Sequence, residues 1–185
     1  MKKLLIVITS LFFLFACNKD ENPTRRAERY RVDTHTIAAS GEVHISALTK
    51  AYVTRVIDGD TIDVAIEDPP EELETSERIR FLGVDTPETV HPNKEVEQFG
   101  KEASGYTKTA LTRKTVYLAF DRDLRDQYGR VLAYVYTEDN VCFNAELIKQ
   151  GYARAYTSFP FQFKDEFVKL EETAQATNTG LWELE

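Results

Sequence analysis

The sequence predicts a mainly β domain with helices, class α+β, built as a small five-stranded barrel with about three helical flanks. Three observations predict it. Five apolar segments of strand length lie between turn residues, and helical spacing appears only between and after them. The chain has 185 residues and is 42% hydrophobic, enough for one compact core and too little for two well-packed domains.

The elements follow in order. "AYVTRVID" (51–58) and "TIDVAIE" (61–67) alternate apolar and polar residues around the turn-forming pair Asp58-Gly59, as a β-hairpin does. "EDPPEELETSE" (67–77), with two prolines and six acids, is an exposed connection. "RIRFLGV" (78–84) is a third strand whose nearly continuous apolarity predicts burial on both faces. A loop containing Pro87 and Pro92 then leads to a helix from about Glu95 to Arg113, with Val96, Phe99, Ala103, Tyr106, Ala110 and Leu111 at helical spacing. "TVYLAFD" (115–121) and "RVLAYVYT" (130–137) are the fourth and fifth strands. Asn144 is placed to cap a short helix, "AELIKQG", that Gly151 closes. A last amphipathic helix covers about Asp165 to Thr177, with Phe167, Leu170 and Ala174 inward.

Residues 1–17 have a basic start, Lys2 and Lys3, and an apolar run from Leu4 to Ala16 that ends at Cys17. The run has 13 residues, short of the roughly 20 that span a membrane and suited to a signal peptide. "LFAC" resembles the bacterial lipoprotein processing signal, which implies cleavage before Cys17 and a lipid on its thiol; Phe15 stands where a smaller residue is usual. A plain secretory signal that contains a cysteine is the other reading. Residues 18–49 are polar and lack sustained periodicity, so they read as a tether, and about 30 such residues reach roughly 30 Å. Arg25, Arg26, Arg29 and Arg31 in that tether either touch anionic lipid headgroups or are simply solvated. The expected division is thus a signal peptide at 1–17, a tether at 18–49 and a domain at 50–185, at the bacterial cell envelope on a lipid anchor, or secreted without one. With Cys17 acylated, Cys142 has no disulfide partner and reads as a small core residue.

Net charge is −8, and without Lys2 and Lys3 it is −10, from 21 basic against 31 acidic residues. That balance excludes a generally basic nucleic-acid-binding surface. A polyanionic ligand must then be held by local cations or a metal. His35, His44 and His91 lack metal-ligand spacing.

The chemistry concentrates where strands end. Asp60 and Asp85 each close an apolar strand and are followed by Thr61 and Thr86. Two carboxylates meeting at a barrel rim would repel unless a cation lay between them, and a hard divalent ion takes such oxygens; alternatively, each acid only caps its own turn. Arg80 lies in the apolar third strand on the parity of Leu82 and Val84, where an unpaired guanidinium would be costly. Arg130 follows "DQYG" and opens the fifth strand. Two such planar forks suit phosphoryl oxygens or, equally, structural carboxylates. Glu88 follows Pro87 in a rigid turn, close enough to Asp85 to orient or deprotonate a water, or to be an ordinary loop acid.

"VIDGDTI", "RFLGVDTPE", "HPNKEVEQFGKEAS", "DQYGRVLAYVY" and "FNAELIKQGYARAY", in this order and spacing, resemble the thermonuclease family over about Lys50 to Trp182. The resemblance implies an oligonucleotide-binding (OB) barrel of five strands with three helices, and calcium-dependent cleavage of DNA and RNA to 3′-phosphate ends. It implies that Asp60, Asp85 and the Thr86 carbonyl hold Ca²⁺, that Arg80, Glu88 and Arg130 are catalytic, and that Tyr128 and Tyr156 contact substrate. It further implies a monomeric enzyme. Three departures stand out: the acidic 67–77 connection is longer than the family's, Gln127 replaces a lysine, and Tyr156 with Phe159 replaces a tyrosine pair. Two other classes remain: a catalytically silent OB module binding nucleic acid or protein at the cell surface, and a purely structural envelope lipoprotein.

Overall fold

A computed structural model describes residues 45–87 and 99–183. Strands β1 (Thr49–Val56), β2 (Thr61–Ala65), β3 (Ser76–Phe81), β5 (Thr115–Ala119) and β6 (Val131–Tyr136) form a closed barrel in the order β1-β2-β3-β6-β5. The expected five-stranded barrel is therefore present. Helices α1 (Gly100–Leu111), α2 (Phe143–Lys149) and α3 (Lys164–Ala176) flank it.

Closure follows from how β1 is shared. Its first half, Thr49 to Tyr52, pairs with β5, and its second half, Tyr52 to Val56, pairs with β2. The register shifts between Val53 and Arg55, the irregularity that lets one strand turn a barrel corner. All neighbours are antiparallel except β3 and β6, which run parallel. A parallel pair needs a long crossover, and the chain between them supplies it, including α1 and β5.

The barrel is filled from alternate positions. Val53, Ile62, Val64, Ile79, Val116, Val131, Ala133 and Val135 are all fully buried. Phe81 and Leu118 join them, and Phe143 of α2 packs edge-on against Phe81, so helix and barrel share one core. Ala103 and Leu111 face inward from α1, as do Phe167 and Ala174 from α3, matching the expected stripes.

Three expectations need correction. β3 is not buried on both faces: Glu77, Ile79 and Phe81 are buried while Ser76 and Arg78 are exposed, so it alternates like its neighbours. The strand stops at Phe81; Leu82 and Gly83 turn the chain, Gly83 with φ 76°, into a separate two-residue strand β4 (Val84–Asp85). The apolarity past Phe81 reflects packing of this turn, not strand continuation. Second, Asn144 does not cap α2. Cys142 is the N-cap, and the buried Asn144 side chain instead accepts from Val135 N–H at 2.8 Å and donates to Leu82 and Ala133 carbonyls at 2.9 and 3.1 Å. Third, Asp60 does not close a strand but lies in the turn between β1 and β2. The described part of the first helix begins at Gly100, and the expected segment before Phe99, with Val96, lies outside the described residues.

Among the exposed acids of the 67–77 connection, Leu73 and Glu77 are buried. Ile66 N–H donates to Thr75 O at 2.9 Å, extending the β2–β3 hairpin. Cys142 is half-buried against the core, and burial pushes its thiol up to about 11, as befits a packing residue.

Candidate active site

The turn between β1 and β2 places the first acid. Ile57 and Asp58 N–H groups both donate to Thr61 O, and Asp60 N–H donates to the Asp58 carboxylate at 3.2 Å. Thr107 on α1 donates its hydroxyl to Gly59 O at 2.7 Å. On the other side, a Cβ on Gly59 would come within 2.7 Å of the Thr86 side chain. Glycine is required there because Thr86 occupies the space. The turn is thus clamped between α1 and the β4 segment.

Asp60 is 5% exposed and surrounded by donors. Its Oδ1 accepts from the Thr61 hydroxyl at 3.1 Å, and its Oδ2 accepts the Thr86 N–H at 2.9 Å and hydroxyl at 3.0 Å. These bonds stabilise the ionised carboxylate that burial alone would disfavour.

β4 carries the second acid. It pairs with β7 (Arg154–Ala155), where Asp85 faces Arg154, and Tyr156 N–H donates to Gly83 O at 2.9 Å. A Cβ on Gly83 would collide with Phe161, so the turn that sends the chain back towards Asp60 depends on glycine.

Arg80 joins the two acids. Its Nη2 donates to Asp85 Oδ1 at 2.9 Å, while Nη1 forms an ion pair with Asp60 Oδ2 without hydrogen-bond alignment. The side chain is 14% exposed. Burial lowers its pKa from the ordinary arginine value, with Asp85 opposing that shift and the nearby Arg130 charge adding to it. Arg80 remains cationic at neutral pH, because arginine starts so far above it. Parity with Leu82 and Val84 predicts an inward Arg80. That parity fails at the Leu82-Gly83 turn, yet the inferred need for carboxylate partners is met.

Arg130 is held from a different loop. Asp126 Oδ2 accepts its Nε at 2.6 Å, and Asp126 Oδ1 accepts the N–H groups of Tyr128 and Arg130 at 2.9 and 3.0 Å. Its guanidinium lies 5.4 Å from the centroid of the Tyr128 ring, which is 75% exposed. Tyr156 and Phe159 are exposed, their ring centroids 6.0 Å apart. The structure therefore brings Asp60, Arg80, Asp85 and Thr86 into direct contact, with Arg130 as an electrostatic neighbour. Glu88, His91 and Cys17 lie outside the described residues.

Several supporting residues escaped the sequence reading. Arg125 grips the buried Glu77 with both Nη atoms, at 3.0 and 2.5 Å, and donates to Gly129 O at 3.0 Å, tying the Arg130 loop to β3. Thr107 and Asn144 hold backbone carbonyls from distant segments. Only the Asp126 to Arg130 pair had a local signal, opposite charges four residues apart.

A staphylococcal nuclease homologue family model matches residues 78–184, which begin within β3. The chain belongs to the staphylococcal nuclease family. It is 43% identical to the thermonuclease of Staphylococcus intermedius, over 71% of this chain and 74% of that protein. It is 34% identical to endonuclease YncB of Bacillus subtilis, over 98% of this chain and 92% of the relative. The thermonuclease of Staphylococcus hyicus is 42% identical over 70% of this chain. Membership accounts for the barrel order, and the expected OB fold stands.

The donor set bears on a metal. Among the described residues no three His, Cys, Asp or Glu side chains cluster closely enough to hold one ion. Two carboxylates nevertheless converge on a single cationic group. Carboxylate oxygens are hard donors, the type that a divalent cation completes with carbonyls and water. The residues fit such an ion.

Proposed function

We propose that this chain is a calcium-dependent, sugar-non-specific nuclease that hydrolyses phosphodiester bonds of DNA and RNA to 3′-phosphate ends. Family membership supports the hydrolase class. The observation that carries the site assignment is that Asp60, from the β1–β2 turn, and Asp85, from β4, reach one guanidinium.

In this reading Asp60, Asp85 and the Thr86 carbonyl would hold Ca²⁺, which when bound neutralises charge at a phosphate oxygen. Glu88, three residues past Asp85 behind Pro87, orients or deprotonates the attacking water; this role comes from the family resemblance. Attack in line on phosphorus expels the 5′-oxygen and leaves the phosphate on the 3′ side. Arg80 and Arg130 donate to the equatorial oxygens as negative charge grows there. Tyr128 and Tyr156 offer exposed aromatic surface to the nucleotide.

The enzyme acts as a monomer, exported to the bacterial envelope and held there by lipid on Cys17. The purified full chain should degrade single-stranded DNA and RNA with calcium and stop when a chelator is added. Cleavage that persists in chelator would refute the metal assignment. Replacing Cys17 by Ser should move the protein from the membrane fraction to the medium or periplasm; an unchanged distribution would remove the anchor.

A further inference from the structure

The outer face of the barrel beside the site carries charge that the cleavage reading does not use. β3 alternates, so Arg78 and Arg80 share one face, two residues or about 7 Å apart. Arg80 turns to Asp60 and Asp85; the Arg78 side chain stays 48% exposed. In the barrel register Arg78 stands opposite Asp63 on β2, and Asp63 opposite Arg55 on β1. Asp63 accepts Nε and Nη2 of Arg55 at 2.9 and 2.6 Å and Nε of Arg78 at 2.8 Å. Two guanidiniums thus share one carboxylate. The row has a net positive charge on a chain of net −8.

This row opens into a polar groove of about 390 Å³ whose lining includes Arg78, Ser76, Tyr128 and Arg130. Arg130 belongs to the candidate active site, so groove and site are continuous. Glu77 also lines the groove, but Arg125 neutralises it through two hydrogen bonds. Asp63 fixes both forks at their Nε atoms and leaves Nη1 of Arg78 for an acceptor in the groove. A fork held in advance loses little side-chain freedom on binding, which favours a tetrahedral anion presented at a set distance.

We infer that this groove binds the strand beyond the scissile bond, with Arg78, steadied through Asp63 and Arg55, gripping a second phosphodiester and Tyr128 facing a base. The inference rests on the nuclease reading. It adds a contact that a dinucleotide cannot fill and an oligonucleotide can. Local cations of this kind answer the problem that an acidic chain poses for polyanion binding.

The full chain and its Arg78→Gln, Arg55→Gln and Lys169→Gln variants would be compared on a dinucleotide and a 12-nucleotide single strand. Lys169, exposed on α3, controls for net charge. Arg78→Gln should raise KM for the 12-mer about fivefold more than for the dinucleotide, and Arg55→Gln should do so by a smaller factor. Anisotropy of labelled 12-mer in chelator should show the salt slope of log K falling by about 0.7 in Arg78→Gln. Lys169→Gln should change neither. Equal effects of Arg78→Gln on both lengths, or an effect of Lys169→Gln as large, would overturn the groove. Failure of the unmodified chain to cut either substrate would overturn the nuclease reading instead, while the binding measurement in chelator still decides the groove.

Discussion

Thr86 donates both its backbone N–H and its hydroxyl to one oxygen of Asp60, at 2.9 and 3.0 Å. The two residues are 26 positions apart and both are buried, so this contact fastens the β1–β2 turn to β4. Hydrogen bonds to a charged group contribute roughly 1.5–3 kcal/mol. Thr86→Val keeps the shape and the N–H but loses the hydroxyl, and should lower unfolding stability by about 2 kcal/mol. Thr86→Ser should stay near the parent. Urea denaturation of the three proteins checks this, and a valine variant within about 0.5 kcal/mol of the parent would mean the hydroxyl is not holding the carboxylate.

Among the described residues Arg80 is the counter-ion that touches both site acids. Arg80→Gln removes it and leaves two carboxylates facing each other, which should cost about 3 kcal/mol of stability in the presence of a chelator. Calcium should then stabilise the variant more than the parent, because in the variant the acids have lost the guanidinium they share. Turnover should fall by orders of magnitude even with calcium restored. Chemical denaturation with and without calcium reads the first two effects. Equal stabilisation of parent and variant would show that Asp60 and Asp85 do not converge on one ion.

How far the sequence carried this reading depended on whether each signal was local. Five strands and three helices were legible because alternation and helical spacing are local patterns, whereas the strand order, with its parallel β3–β6 pair, is set by contacts across the fold. Acids beside threonine singled out Asp60 and Asp85, although Asp60 lies in a turn and not at a strand end. What the sequence hid were contacts made across the fold. Asn144 has the side chain of an N-cap and sits near a helix start, yet Val135, Leu82 and Ala133 compete for its amide and win it. The apolar run past Phe81 looked like more strand, because a buried glycine turn and a buried strand have the same composition. The clamp of Thr107 on Gly59, 48 residues away, had no signal in either local pattern.

The Glu77–Arg125 pair gives a defined pH dependence. Burial works to raise the Glu77 carboxyl, but hydrogen bonds from Arg125 and the Glu74 N–H, with the Arg125 charge, outweigh it and hold the pKa below the ordinary 4.5. A depressed folded-state pKa means that the pair stabilises the fold fully above the unfolded value and is lost as pH falls through the folded one. Glu77→Gln should therefore be less stable than the parent at pH 7, and the gap should close below pH 4.5. Parallel urea titrations from pH 7 to 3 measure it. A gap that stays constant across that range would mean the loss comes from packing and not from charge.

Asn144 offers a test that separates position from fold. Its amide supplies the Val135 N–H with an acceptor and the Leu82 carbonyl with a donor, and Leu82 begins the turn that returns Asp85 to the site. Ala133 O also accepts the Leu82 N–H, so it keeps a partner when Asn144 is changed. Asn144→Ala strands two buried backbone groups and should cost about 3 kcal/mol. Asn144→Asp keeps the acceptor for Val135 but sets a carboxylate oxygen against the Leu82 and Ala133 carbonyls. That repulsion raises the new acid's folded pKa, so the aspartate variant should gain stability relative to the parent as pH falls from 7 towards 4.5. The Glu77 pair is still intact over that window, which keeps the two effects apart. Cleavage by Asn144→Asp, measured where the variant remains folded, should recover in the same direction once normalised to the parent at each pH. If stability recovers on acidification while relative cleavage does not, Asn144 supports the core without helping to place Asp85.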